Sequence, residues 1–452
     1  MIKGFSNILK VPDLRKKVLF TLLIVVIYRI GSFVPTPGID GGALGRFFES
    51  IARTPGGTLF GIIGMFTGGA LQRATIFALG IMPYISASII LQLLTVVIPY
   101  LEKLAKEGEE GRKKIIQYTR YGTVILSIIQ TFFIALWLEN PYSFNGTVIV
   151  PNPGWGFRLM TILTMTTGTA FIMWLGEQID QYGIGNGMSI LITAGIIESI
   201  PTAFWQTYLL LSPFDLAHQQ LAWWKFAVMC FLFVTTVIGV IMIIQGQRKI
   251  PVQYARQIRG HRMYGGQSTY LPMKVNQAGV IPIIFAQSVI LFPATIAGFF
   301  PKAGALTAAA RFLSAGSISY SIIYAVLILF FTFFYTAITF NPIDVSENLQ
   351  KYGGFIPGIR PGKTTAEYLD YVMTRIATSG AFFLAVIALL PNVISSPKVM
   401  NIPFTIASFF GGTGLLIIVG VMLDVMASIE SQLLMRHYEG FIKKGKLKSR
   451  QR

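Results

Sequence analysis

The chain has 452 residues, of which 53% are hydrophobic and only 12% charged, and its mean hydropathy is +0.62. Soluble domains carry about 25% charged residues, so this composition excludes a soluble globular protein and leaves an integral membrane one. The net charge of +18 is informative through its placement more than its size.

Apolar runs of helical length recur, whereas strands alternating at the barrel period do not, so the expected class is an all-α membrane protein. The first residues, through Lys10, lack the small-residue cleavage pattern of a signal peptide. The first apolar run is therefore expected to act as the insertion signal. Ten spans are predicted, at 18–34, 74–98, 118–138, 158–176, 187–205, 223–244, 278–300, 317–340, 371–390 and 403–425. Between the first two lies a shorter apolar piece, 58–66, bracketed by Gly56-Gly57 and Gly68-Gly69. Crossing a bilayer takes about 20 apolar residues, so this piece enters the membrane region without spanning it. Such backbone is tolerated only where it is buried in protein or lines an aqueous cavity. A cavity is expected.

Lysine and arginine set the orientation. The N-terminal segment, the loops after the second, sixth and eighth spans, and the tail together hold 28 of the 37 basic residues. The opposite loop at 139–157 holds none. Both termini are expected on the cytoplasmic side. The loops 245–277 and 341–370 are larger than orientation requires and rich in Gly, Pro and Arg, including Arg256, Arg259, Arg262 and Arg360. They read either as solvated connectors or, as favoured here, as a docking platform for a large anionic or acidic partner. A polar connector near residue 205 divides the chain into halves of five spans each. An odd number of spans per half inverts the topology of the second, and such pairs enclose a path along their interface. The divisions are 1–205, 206–430 and a basic tail at 431–452.

Catalytic chemistry is not evident. His218, His261 and His437 lie apart, so no metal-ligand cluster is expected, and no cofactor is implied. Gly358 to Thr364 is one residue short of a phosphate loop and follows no buried strand. The Gly183-Ile-Gly185-Asn-Gly187 run reads as a flexible lead-in to a helix. Cys230, the lone cysteine, reads as a buried structural thiol. Of the few ionisable residues within spans, Arg29, Glu198 and Asp424 stand out, and Arg29 and Asp424 lie near enough to helix ends to snorkel. A coupled small-solute carrier would show more such groups, and an intramembrane hydrolase would need paired catalytic groups at matching depth.

Several strings closely resemble the SecY family, the central pore subunits of the bacterial Sec translocase. They are Tyr28-Arg29-Ile-Gly-Ser-Phe-Val-Pro-Thr-Pro-Gly38, Gly68-Gly-Ala-Leu-Gln-Arg-Ala-Thr-Ile-Phe-Ala-Leu-Gly-Ile-Met-Pro-Tyr-Ile-Ser-Ala-Ser88, Met173-Trp-Leu-Gly-Glu-Gln178, Gly183-Ile-Gly-Asn-Gly187, Gln267-Ser-Thr269, Phe292-Pro-Ala-Thr-Ile296 and Gly358-Ile-Arg-Pro-Gly362. The resemblance runs through essentially the whole chain in order. It implies ten helices in two pseudo-symmetric inverted halves around an hourglass pore, closed by a short re-entrant plug helix. The plug corresponds to Thr58, Leu59, Phe60, Gly61, Ile62, Ile63, Gly64, Met65 and Phe66. The constriction ring falls on Ile81, Ile85, Met188, Ile192, Ile284 and Ile417, where methionine replaces one isoleucine of the usual set. A narrow apolar ring offers ions no substitute for hydration and can gate by dewetting, and branched isoleucines make it stiff.

The resemblance also implies a lateral gate between the second and third spans on one side and the seventh and eighth on the other, near Gln92 and Asn276. Lys249, Arg256 and Arg360 match basic positions that serve docking, beside Arg259 and Arg262. Implied partners are SecE, SecG, the ATPase SecA, the ribosome with its nascent chain, signal peptides and preproteins, and the lipid bilayer, with SecDF and YidC as further candidates. The function implied is passage of unfolded preproteins across a bacterial inner membrane and lateral release of apolar segments, without covalent catalysis.

Overall fold

Helices form along the apolar runs because hydrocarbon cannot satisfy exposed backbone polar groups, and local chemistry sets where they stop. The computed structural model describes residues 11–51, 64–144, 146–211, 222–254, 257–259, 262–264, 268–299, 317–396, 399–400 and 402–444. The chain divides into two compact units, one of Met1–Gln206, Pro293–Arg311 and Val421–Arg452 and one of Thr207–Phe292 and Phe312–Gly420.

In the first unit, α1 (Pro12–Gly31) starts with a proline, whose fixed φ suits the first turn and whose missing N–H costs nothing there. It buries Leu14, Ile24 and Tyr28 and exposes Leu19, Leu22, Leu23, Val26 and Ile30. Exposed apolar stripes of this kind recur on the spans, and lipid is what covers them. A helix the sequence reading did not foresee, α2 (Gly41–Ile51), is capped by Asp40, whose Oδ1 accepts from the Gly42 and Ala43 amides at 2.9 and 3.0 Å.

The second predicted span is only partly helical. Residues 74–81 form turns, and α3 (Met82–Val97) begins after them. Pro99 ends it and opens α4 (Pro99–Lys106), which leaves at 100°. The long helices α5 (Glu109–Leu138) and α6 (Trp155–Tyr182) are tied at both ends by ion pairs. Arg120 holds Glu177 through two bonds of 2.7 and 2.8 Å, and Arg158 holds Glu139 at 2.7 Å. α7 (Gly187–Leu211) follows, capped by Asn186 Oδ1 on the Ser189 amide and Asp180 Oδ1 on the Gly187 amide. The glycines before α7 are tightly packed rather than loose, since a Cβ at Gly187 would lie 2.0 Å from the Gly176 carbonyl oxygen.

In the second unit, α8 (Trp223–Gln245) leads into the basic loop at 245–277, for which the sequence reading named no strand. It is a sheet instead, so the all-α expectation is corrected to a mostly helical chain with a small β-body. β1 (Gln247–Tyr254) pairs antiparallel with β4 (Ser268–Lys274) and with β5 (Gly354–Phe355), while β2 (Gln257–Arg259) pairs with β3 (Arg262–Tyr264). α9 (Ile281–Phe299) comes next, then α10 (Ile318–Thr339), capped by Ser317, and α11 (Pro342–Lys351), capped by Asn341. α12 (Lys363–Ser395) extends well beyond the apolar run at 371–390.

The last predicted span is two helices, α13 (Phe404–Phe410) and α14 (Thr413–Lys444), broken at Gly411-Gly412, where Gly412 has φ +105° and presses on Pro391. α14 also carries helix through the first part of the supposed tail. Among the described residues seven helical stretches are long and apolar enough to cross a membrane, or eight with the bent α3–α4 pair. α1 is not among them, because Lys17 and Arg29 bracket its apolar run.

Segment 74–81 is wedged into the first unit. Phe77 stacks on Tyr28 at 5.9 Å between centroids, and a Cβ at Gly168 of α6 would lie 2.0 Å from the Ile76 carbonyl oxygen. Gly168→Ala therefore displaces this segment from α6. We expect a loss of about 1–3 kcal/mol, read as a lower midpoint in a thermal-unfolding assay of the detergent-solubilised chain.

Candidate functional site

Among the described residues, the backbone from Gly64 to Ile81 runs irregularly between apolar helices. Residues 64–67 make one helical turn, and Gly68 and Gly69 then take φ +60° and +69°, a region open to glycine at no steric cost. Gly80 adopts φ +57°, and Ala74 adopts φ +47°, which costs an L-residue about 1–2 kcal/mol. Every turn is hydrogen-bonded: Gly69 N donates to Gly64 O at 2.8 Å, Thr75 N to Ala70 O at 3.0 Å and Gly80 N to Phe77 O at 2.8 Å. The chain after α1 supports it from outside, with Thr36 N donating to Ala74 O and Ile76 N to Val34 O. Of the plug expected at Thr58–Phe66, Thr58, Leu59, Phe60, Gly61, Ile62 and Ile63 lie outside the described residues. Gly64, Met65 and Phe66 belong to the short turn, with Met65 and Phe66 buried.

A charge cluster sits against the glycine pair. Glu198, the only charged residue of α7, pairs with Arg29 through Oε2 and with Arg73 through Oε1, the latter at 2.9 Å. Both guanidiniums also lie within 4.6 Å of the Phe33 ring centroid, in cation–π range. Arg29 is thus an ion-paired group rather than a snorkelling one. Asp424 is not at a helix end either, because α14 continues to Lys444. It lines a polar cavity of about 630 Å³ with Lys17, Asp180, Asn186 and Gln432.

The six ring positions are all buried, from 0 to 8% exposed. In the first unit Ile81 and Ile85 are one turn apart at the start of α3, with Ile85 N donating to Ile81 O, and Met188 and Ile192 are one turn apart at the start of α7. Met188 packs its sulfur against Gly176 of α6. In the second unit Ile284 and Ile417 lie on helices that approach closely, since a Cβ at Gly420 of α14 would lie 2.2 Å from Val280. Gln92 donates to Ser88 Oγ at 3.3 Å, while Asn276 caps a turn by donating to Gly279 O at 2.8 Å. The carbonyl oxygens of both amides are buried without a partner among the described residues.

The β-body has its own core. Ile250, Val252, Met273 and Ile356 pack on Leu369, Val372, Met373 and Ile376 of α12. The alternation Ile250-x-Val252-x-Tyr254, with Pro251 and Gln253 between, was the signal available in the sequence. Lys249 is exposed on β1, and Arg360 is exposed in the turn before α12, where its carbonyl accepts from Thr365 Oγ1 at 2.9 Å. Arg259 and Arg262 face each other across the β2–β3 register, and Arg256 lies outside the described residues. No group of metal ligands occurs among the described residues. Cys230 is half-buried beside the cluster of Met229, Ile406 and Phe410.

The SecY family profile matches residues 75–426. The chain belongs to the SecY family. It is 48% identical over 452 residues to the protein translocase subunit SecY of Streptomyces scabiei, covering 98% of this chain and 100% of that one. Its fold is similar to that of a protein-conducting channel of solved structure, with TM-score 0.62, 17% identity and 92% of each chain covered. It is also similar to Sec61 in the canine ribosome-channel complex from the endoplasmic reticulum, with TM-score 0.58, 16% identity and 92% of each chain covered.

Because the β-body rests on α12, truncating Leu369, which is fully buried, should loosen the sheet. Leu369→Ala is expected to cost about 2–5 kcal/mol locally. Hydrogen exchange of the β1 and β4 amides should accelerate, while that of α5 and α6 stays unchanged.

Proposed function

We propose that this chain is the pore subunit of a general secretory translocon in a bacterial inner membrane, passing unfolded preproteins outward and releasing apolar segments laterally. The observation that carries this reading is a coincidence. A chain related over nearly its full length to translocase subunits also holds irregular, buried backbone between apolar helices, the arrangement tolerated where protein or a cavity replaces lipid. Ten spans would comprise the seven apolar stretches, the α3–α4 pair, α1 and α9, with both termini cytoplasmic. The halves divide near residue 205.

Ile81, Ile85, Met188, Ile192, Ile284 and Ile417 form the constriction in this reading, and 58–66 the plug that closes it. A dry aliphatic collar offers a hydrated ion no replacement ligands, while a sliding chain only exchanges one apolar contact for another. The lateral exit lies between α3 and α5 on one side and α9 and α10 on the other, where the unpartnered amide oxygens of Gln92 and Asn276 are supporting signs. The β-body, with Lys249, Arg256, Arg259, Arg262 and Arg360, is the docking face for the ribosome and for SecA. Its folded core presents Lys249 on a fixed frame, with Arg360 exposed in the turn before α12, which suits recognition of a large anionic surface. The family likeness also supports SecE and SecG as companions. Energy comes from partner ATP hydrolysis, the proton-motive force or ribosomal elongation, not from chemistry in this chain.

Crosslinking tests the path. A stalled preprotein should crosslink to cysteines introduced at Ile85 and Ile284 in a Cys230→Ser background, and not to one at the lipid-facing Val234. Labelling at Val234 alone would reject the pathway. The seal is tested separately. Converting Ile81, Ile85 and Ile192 to serine should raise resting ion conductance in planar bilayers about tenfold or more, as polar lining rewets a dry constriction, whereas an unchanged leak would remove the ring assignment.

A further inference from the structure

Three elements meet at Glu198: Arg29 arrives from the end of α1, Arg73 from the irregular segment, and Glu198 itself from the apolar body of α7. Its side chain is 12% exposed, against 37% and 42% for the two arginines, so the carboxylate is the inner member of the group. It also packs on the glycine turn. A Cβ at Gly68 would lie 2.8 Å from Glu198 Oε2 and 3.2 Å from the Gly195 Cα, so the turn fits under the carboxylate only without side chains. From there backbone bonds lead to the short helix, with Arg73 N donating to Gly69 O at 3.3 Å and Gly69 N to Gly64 O at 2.8 Å.

We propose that Glu198 is a positioning residue that latches the Gly68-Gly69 turn through Arg73 and Arg29, and so holds the 64–67 helix in its seat. The inference rests on the reading of the segment before Gly68 as a movable seal. Without the carboxylate, two guanidiniums drawn to the same Phe33 ring repel each other. Arg73 then moves, and the turn hydrogen-bonded to it moves with it. Because both arginines are partly exposed, the latch is screened by salt, over a Debye length of about 10 Å at 0.1 M and about 3 Å at 1 M. An apolar latch in the same place would be insensitive to salt. The turn therefore opens against ion pairs whose strength the surroundings can tune, while the buried aliphatic positions nearby keep theirs.

The test uses the full chain in proteoliposomes with Cys230→Ser and Met65→Cys, since Met65 is 6% exposed in the seated helix. Reaction of the new thiol with a membrane-impermeant maleimide, added on both sides, reports unseating. Glu198→Gln, which keeps shape and removes charge, should raise the rate about fivefold or more. With Glu198 present the rate should climb between low and molar salt, and with Glu198→Gln it should start high and no longer rise with salt. Should Glu198→Gln fail to insert, Arg73→Gln, which leaves the Arg29 pair intact, should give a smaller rise with a weakened salt response. Rates that match the parent in both variants, or a parent rate independent of salt, overturn the latch. Resting ion conductance is measured on the same samples. Faster labelling with unchanged conductance supports the latch and removes the sealing role of the segment, so the two readings fail separately.

Discussion

Backbone that is not helical cannot lie in hydrocarbon with its amides and carbonyls unpaired, and the stretch from Gly68 to Ile81 has to meet that constraint in the midst of apolar helices. Its own turns close most of the bonds, and the extended chain after α1 supplies others through Thr36 and Val34. Much of the first unit follows from this. Gly31 and Gly168 leave room for Phe77 and for the Ile76 carbonyl, Gly195 lets the Gly68 turn approach α7, and Glu198 pairs with both arginines that the turn and α1 bring together. Larger residues at those glycines would push the irregular segment away from the helices that shield it.

The second unit answers a different problem. Its large basic connectors would be costly to order as loops, since each fixed residue loses conformational entropy. Packing β1 and β4 on the extension of α12 offsets that cost with a small aliphatic core and leaves lysine and arginine on the outside. For the proposed docking role, the consequence is kinetic as well as energetic. Charges on a pre-ordered frame steer a partner without first having to be arranged.

The two devices differ in how they hold. The β-body is kept by packing, and the α5–α6 pair by packing and by ion pairs between consecutive helices. At the Gly68-Gly69 turn the partners come from three distant stretches, and charge rather than apolar area makes the connection. Such a contact is specific in geometry and moderate in strength, which suits the movable part proposed for this segment.

Composition and the length of the apolar runs determined that this chain is a helical membrane protein, because apolar length is a direct statement about what solvent surrounds it, while the small β-body was not foreseen. The run of motifs from Tyr28 to Gly362 determined the family, and the placement of lysine and arginine supports the proposed orientation. The sequence also marked 58–69 as special, since a piece too short to span is visible by counting. Tertiary structure decided the rest. That residues 74–81 are turns, that the last span breaks at Gly411-Gly412 into α13 and α14, and that the basic loops hold a sheet depended on close approaches between residues far apart in the chain, where local periodicity carries little information. Glu198 was noticed as an ionisable group in a span, but its partners Arg29 and Arg73 lie 169 and 125 positions away. Only the fold could bring them to one carboxylate, because an ion pair is set by distance in space and not by separation along the chain.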